Sequence, residues 1–206
     1  GEMGAQILDL TQRYRPDFVV THLFGRAPSV SIKELKRNGY PLRKVVAMVW
    51  GAAEADIDAA GGYQASEGYN TLQFAGVGGD FPVIREILNM YSQQGKEPPK
   101  DMRSSVMYNR GVLTAAVHIE GIRNAIKANG GQPPTGAQVK AGLESISGFS
   151  LGGLVPPLKV TPQDHEGGGW VKVYQVKGGA LQPVGDWFQG YPAILLQVLE
   201  AEAKKG

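Results

Sequence analysis

Two apolar runs, each preceded by a helix-patterned segment, constrain this chain more than any other feature. Asp17-Phe18-Val19-Val20-Thr21-His22-Leu23 and Lys44-Val45-Val46-Ala47-Met48-Val49-Trp50 are apolar at consecutive rather than alternate positions. Such a run suits a parallel strand covered on both faces. Ahead of the first, Ile7, Leu10 and Tyr14 fall at i, i+3 and i+7 and predict a helix ending before Pro16. Between the two, Ser31-Ile32-Lys33-Glu34 has the form of a capping box and Asn38-Gly39 that of a helix stop. Helix, strand, helix, strand is the rhythm of a parallel α/β sheet. Two parallel strands alone leave both edges bare, so more sheet is expected from a segment before residue 1 or from another chain.

The middle opens on small residues, Gly51 to Gly62, which read as a loop with a short helix; Gly68–Phe74 reads as a strand. Asp80 is placed to cap a helix with Pro82 in its first turn and Ile84, Ile87, Leu88 and Tyr91 on its apolar face. After a polar break from Gly95 to Asp101, a long helix is predicted, with Val112, Ala115, Ala116, Ile119, Ile122 and Ile126 on one face and Asn129-Gly130-Gly131 closing it. Thr135-Gly136-Ala137-Gln138 opens another helix as a capping box, and Gly152–Val160, with Pro156-Pro157, reads as extended. In the tail, Trp170, Lys172 and Tyr174 alternate with Val171 and Val173, and Lys177-Gly178-Gly179 reverses the chain toward Leu181. Glycine tolerates the positive φ of that reversal, so a solvent-washed hairpin is predicted. Ile194, Leu195, Val198 and Leu199 mark a terminal helix.

Composition narrows the function classes. With 42% hydrophobic and 19% charged residues, the 206-residue chain can bury a real core. A net charge of +2, with Arg13, Arg15, Lys33, Lys36, Arg37, Arg43 and Lys44 scattered, gives no nucleic-acid stripe. The absence of cysteine excludes disulfides, zinc ribbons and thiol catalysis. No apolar run approaches the length of a membrane span.

This ordered set resembles the second half of the type I periplasmic solute-binding proteins of ABC importers, the leucine/isoleucine/valine-binding class. Arg15-Pro16-Asp17-Phe18-Val19-Val20 and the helix ending in Asn38-Gly39-Tyr40 are similar to that family's second lobe. Gly51 to Asn70, with Ser66-Glu67-Gly68-Tyr69, resembles the return to the first lobe; the Tyr108-Asn109 helix resembles that lobe's long helix, and the tail its closing hairpin. The resemblance implies an α/β fold of two doubly wound parallel-sheet lobes joined by hinge crossovers, of which this chain covers only the second half. On that reading residues 1–50 are part of the second lobe, 51–160 part of the first, and 161–206 the return to the second. Chains of the family are much longer, so a fragment or split chain is expected, without the first-lobe hydroxyl residues that bind a ligand carboxylate.

Ligands of open parallel sheets sit beyond the carboxyl ends of the strands. The first strand end delivers His22, Phe24 and Arg26, and the second delivers Trp50. Phe24 matches an aromatic position that stacks on the ligand in the family, or it packs under the following helix. Trp50, beside Gly51-Ala52-Ala53, is a pocket wall or a core anchor. Arg26 either pairs bidentately with a carboxylate or is a solvated loop residue. His22 donates to an anion or is a satisfied strand end. Tyr69 and Asn70 are placed to reach the cleft from the other lobe, and alternation alone does not say which of them faces inward. The family's amino-acid binders hold the ligand ammonium with an acid near the second strand end, where this chain has Ala47, Met48, Val49 and Trp50; Glu54 is the nearest acid. A buried ammonium without a partner is costly, so a ligand lacking an α-amino group is expected. Asp164, His165 and Glu166 are adjacent, cannot converge on one ion, and read as a turn rather than a metal site.

The expected function is thus a non-enzymatic, extracytoplasmic solute-binding component that traps a small hydrophobic or aromatic carboxylate, acts as a monomer with the membrane subunits of an ABC permease, and uses no cofactor, metal or nucleic acid. A branched-chain amino-acid binder or sensor of the same fold is the near alternative. A small α/β enzyme is the alternative of another class; Gly76-Val77-Gly78-Gly79-Asp80 is its only phosphate-loop candidate and lacks the GxGxxG and GxxxxGK[ST] patterns.

Overall fold

A computed structural model of the chain describes residues 2–205. Helix α1 (Gly4–Asp9) widens into a π turn over Leu10–Tyr14 and stops at Arg15, which is left-handed (φ 48°) just ahead of Pro16. Strand β1 (Val19–Thr21), helix α2 (Ala27–Arg37), strand β2 (Val45–Ala47), helix α3 (Glu54–Ala59) and strand β3 (Asn70–Gln73) follow. The three strands are parallel neighbours, with Val19 beside Val45 and Val46 beside Asn70.

The sheet therefore continues across the division expected at residue 50. Beyond β3 come α4 (Pro82–Gln93), α5 (Val106–Ala128), α6 (Gly136–Leu143) and a small antiparallel pair, β4 (Ser147–Phe149) with β5 (Leu158–Lys159). Strand β6 (Trp170–Lys177) then returns to pair antiparallel with β3, and β7 (Ala180–Pro183) pairs with β6 through a turn at Gly178 and Gly179, both at positive φ. β8 (Phe188–Gln189) adds to the start of β6, and α7 (Pro192–Ala203) ends the chain with every residue exposed.

One face of the main sheet carries Val19, Val45, Ala47, Tyr69 and Val176 against Ile7, Ile32, Leu35 and Ile57 of α1 to α3. A second cluster, Ala75, Leu113, Leu154 and Val155 with Phe74, Phe81 and Leu158 around it, holds α5 to the loops beside it. Fully burying a side chain of this size contributes roughly 1.5–3 kcal/mol; the first cluster holds α1 to α3 on the sheet, and the second, through Leu113, fixes where α5 meets the segment after β3.

Several local expectations shift. α2 begins four residues before the Ser31 capping box; Ser31 is buried mid-helix with its hydroxyl on Pro28 O at 2.7 Å, because Pro28 already presets the first turn. Phe81, not Asp80, is the N-cap of α4, and Asp80 pairs with Arg85 instead. The buried face of α5 is Val106, Asn109, Arg110, Leu113, Gly121 and Ala125, whereas Ile119, Ile122 and Ile126 are exposed. Strand β1 is covered on one face only, with Val19 and Thr21 buried and Phe18 and Val20 open.

Candidate functional site

The carboxyl ends of β1 and β2 lie side by side. Met48 N donates to Thr21 O at 2.8 Å, and Gly51 packs against Leu23 and Pro28. The two aromatic rings that leave these ends are unburied: Phe24 is 73% exposed and Trp50 is 56% exposed. Phe24 therefore does not pack under α2, and Trp50 is not a core anchor. His22 and Arg26 are also exposed; Arg26 lines a depression of about 430 Å³ with Lys33 and Asp56, between the starts of α2 and α3.

Tyr69 and Asn70 are corrected. Tyr69 is fully buried with its hydroxyl donating to Gly51 O at 3.0 Å, and burial pushes its phenol well above the usual range. Asn70 donates to Arg43 O and Val45 O at 3.0 and 2.9 Å and accepts from Gln175 at 2.9 Å. Both are tied into the sheet, where β3 lies between β2 and β6.

At the strand ends the structure adds a buried polar cluster. Glu54, 7% exposed, accepts the Val106 N–H at 2.8 Å and so satisfies a free donor at the start of α5. Arg110 donates through Nη2 to Val49 O at 3.0 Å and Gln73 Oε1 at 2.6 Å, and its guanidinium lies 4.9 Å from the centroid of Phe74. Asn109 donates to Gly76 O and Gly78 O at 2.7 and 2.8 Å. These bonds pin the first turns of α5 to the ends of β2 and β3. Burial raises the carboxyl of Glu54, against the pull of the Val106 N–H and Arg110; burial likewise raises Asp56 and lowers Arg110. The sequence signal for the cluster was available: Val106, Asn109, Arg110 and Leu113 fall at i, i+3, i+4 and i+7.

A mainly apolar hollow of about 410 Å³ lies between α5 and the approach to β6, lined by Phe74, Leu113, Val117, Leu158 and Trp170 with His118 and His165 at its rim. His165 Nε2 lies 2.9 Å from Glu144 Oε1, and Asp164 closes a turn with Thr161. Among the described residues, no three His, Cys, Asp or Glu side chains come together as a metal cluster, and no helix is long and apolar enough to cross a membrane.

The family model described as periplasmic binding protein matches residues 3–180. No curated protein matches the sequence significantly. Among solved structures, the chain is similar to one described as an ABC transporter permease from the Pseudomonas fluorescens group, with a TM-score of 0.87 and 30% identity over 99% of this chain and 51% of that one. It is similar in fold to a branched-chain amino acid ABC transporter from Thermus thermophilus with bound valine (TM-score 0.75, 22% identity, 95% of this chain and 51% of that one). A fatty acid ABC transporter substrate-binding protein from Thermomonospora curvata shares the fold as well (TM-score 0.70, 15% identity, 94% and 48%). The chain spans about half the length of the solved structures it matches.

Proposed function

We propose, from the premise that this chain belongs to the periplasmic binding protein family, that it is part of the extracytoplasmic solute-binding component of an ABC importer and that its ligand is a small hydrophobic or aromatic carboxylate. The observation that carries this reading is the chemistry of the strand ends. Two large rings, Phe24 and Trp50, stand open there, while the nearest acid, Glu54, faces inward onto Val106 N. Rings give stacking area and desolvation, the usual sources of affinity in a small-molecule site. With one Glu54 oxygen on Val106 N–H and Asp56 Oδ2 accepting Ala53 N–H at 3.1 Å, the nearby acids are engaged by the backbone, which favours a ligand without an ammonium.

In this reading residues 2–73 with β6 and β7 form most of one lobe, and α4 to α6 belong to the other lobe. The crossings at Phe74–Gly79 and Thr161–Gly169 act as hinge segments, and closure of the lobes traps the ligand and presents a surface to the permease. The component works as a monomer and by binding, without catalysis. His22 and Arg26, both exposed beside Phe24, are the polar candidates for the ligand's anionic end.

Calorimetric titration of the chain with benzoate and hydrocinnamate tests the proposal. Binding is expected, with Trp50→Ala and Phe24→Ala each weakening it by about tenfold or more, the loss typical of a truncated aromatic anchor. Absence of binding by every carboxylate of this class, or an unchanged affinity in Trp50→Ala, would overturn it.

A further inference from the structure

The segment that carries Trp50 is held by side chains rather than by a sheet. After β2 the chain makes one tight turn over Val49–Gly51, closed by Gly51 N donating to Met48 O at 3.0 Å, and runs buried through Ala52 and Ala53 into α3. Buried backbone groups need partners, since a missing one costs its full desolvation. Four side chains supply them here. Val49 O accepts from Arg110 Nη2 at 3.0 Å, Gly51 O from the Tyr69 hydroxyl at 3.0 Å and Ala52 O from Gln73 Nε2, while Ala53 N donates to Asp56 Oδ2 at 3.1 Å. Tyr69, Gln73 and Asp56 come from β3, its approach and α3. Arg110 comes from α5, beyond the crossing at Phe74–Gly79.

Arg110 is 6% exposed, and one nitrogen, Nη2, makes both of its bonds to the strand ends, to Val49 O at 3.0 Å and to Gln73 Oε1 at 2.6 Å. That nitrogen carries two hydrogens in a rigid plane, so both are used and the two acceptors are held at a fixed angle. Gln73, fully buried, passes the constraint on through its amide to Ala52 O and Thr71 Oγ1. The Phe74 ring, 4.9 Å from the guanidinium, restrains the plane from its other side. Pinning α5 to β3 requires only the bond to Gln73. The bond to Val49 O does something further: it fixes the residue next to Trp50.

We propose that Arg110 is the positioning residue for Trp50: without touching the ligand, it sets the attitude of that ring at the strand ends from α5. This role rests on the proposed reading of Trp50 as a ligand contact and deepens it. Trp50 is 56% exposed, so packing covers less than half of it and the backbone beneath aims the ring. Loosening that backbone leaves the aromatic present but misdirected, which costs affinity without removing a ligand contact.

The test labels the chain with fluorotryptophan and follows Trp50 by fluorine NMR, its signal assigned as the one lost in Trp50→Phe. In Arg110→Met, which keeps most of the apolar stem and removes the fork, the Trp50 signal should shift or broaden while that of Trp187 stays in place. Arg110→Lys, which keeps the charge and loses the fixed fork, should move it in the same direction by less. In hydrocinnamate titrations Arg110→Met should weaken binding by about tenfold or more, and the double variant with Trp50→Ala should bind no more weakly than Trp50→Ala alone, because both changes act through one ring. An unmoved Trp50 signal in Arg110→Met, or in Arg110→Lys where the methionine variant does not fold, would sink the proposal. So would an unchanged affinity in Arg110→Met beside a loss in Trp50→Ala. Failure of the unaltered chain to bind hydrocinnamate would count against the ligand reading instead, and the fluorine signals, recorded without ligand, would still decide whether Arg110 places Trp50.

Discussion

At the scale of single residues, Glu54 shows how one buried carboxylate serves the fold. Its oxygen caps the start of α5, and burial lifts its pKa above the ordinary 4.5. A carboxyl with a raised folded pKa contributes stability that is fully present below the unfolded value and is lost as the pH rises through the folded one. Asp56, raised by burial from 3.8, acts in the same direction. The melting temperature should therefore fall as pH rises above 4.5 through the raised value of Glu54. Glu54→Gln, which keeps an acceptor for Val106 N–H and removes the charge, should flatten that slope in melts across about pH 4 to 8. An equal slope in the variant would show that Glu54 does not titrate as described. The exposed rings at the strand ends were legible as residue types at strand termini. The inward turn of Glu54, Tyr69 and Asn70 was not, because strand alternation gives parity without saying which parity is the inside.

At the scale of elements, α5 and α6 cross through two glycines. A Cβ on Gly142 would run into the carbonyl oxygen of Gly121, and a Cβ on Gly121 would run into the side chain of Leu143. Gly142→Ala is expected to destabilise the chain by about 1–3 kcal/mol, the range for overpacking, despite the better helix propensity of alanine. Chemical denaturation measures it, and a stabilised variant would contradict the close crossing. Element order was readable from periodicity and turn chemistry: the Thr135–Gln138 capping box forms with both its bonds, and the hairpin turns at Gly178 and Gly179. The faces of α5 were less readable. Its isoleucines form the more obvious stripe, yet the helix buries Asn109 and Arg110, because the strand ends offer carbonyl and amide partners there. Ser31 failed as a helix start for a related reason: an ST-x-x-E pattern is silent about whether a proline upstream has already begun the turn.

For the whole molecule, the mixed sheet, the covered and open faces and the matched fraction of the relatives describe one thing, a sheet-and-helix body belonging to a two-lobe binding fold. The parallel α/β rhythm and the need for more sheet could be read from the two apolar runs. The continuation of that sheet through β3 could not, since a short strand after a loop carries no mark of which sheet it joins. The central functional claim is that the strand ends accept a hydrophobic carboxylate and offer no partner to an α-amino group. The most direct measurement is a pair of calorimetric titrations with hydrocinnamate and phenylalanine, which differ only in that group. Hydrocinnamate should bind about tenfold tighter or more, the penalty for burying an unpaired ammonium. Tighter binding of phenylalanine would contradict the account and place an acid at the site that Glu54 does not supply.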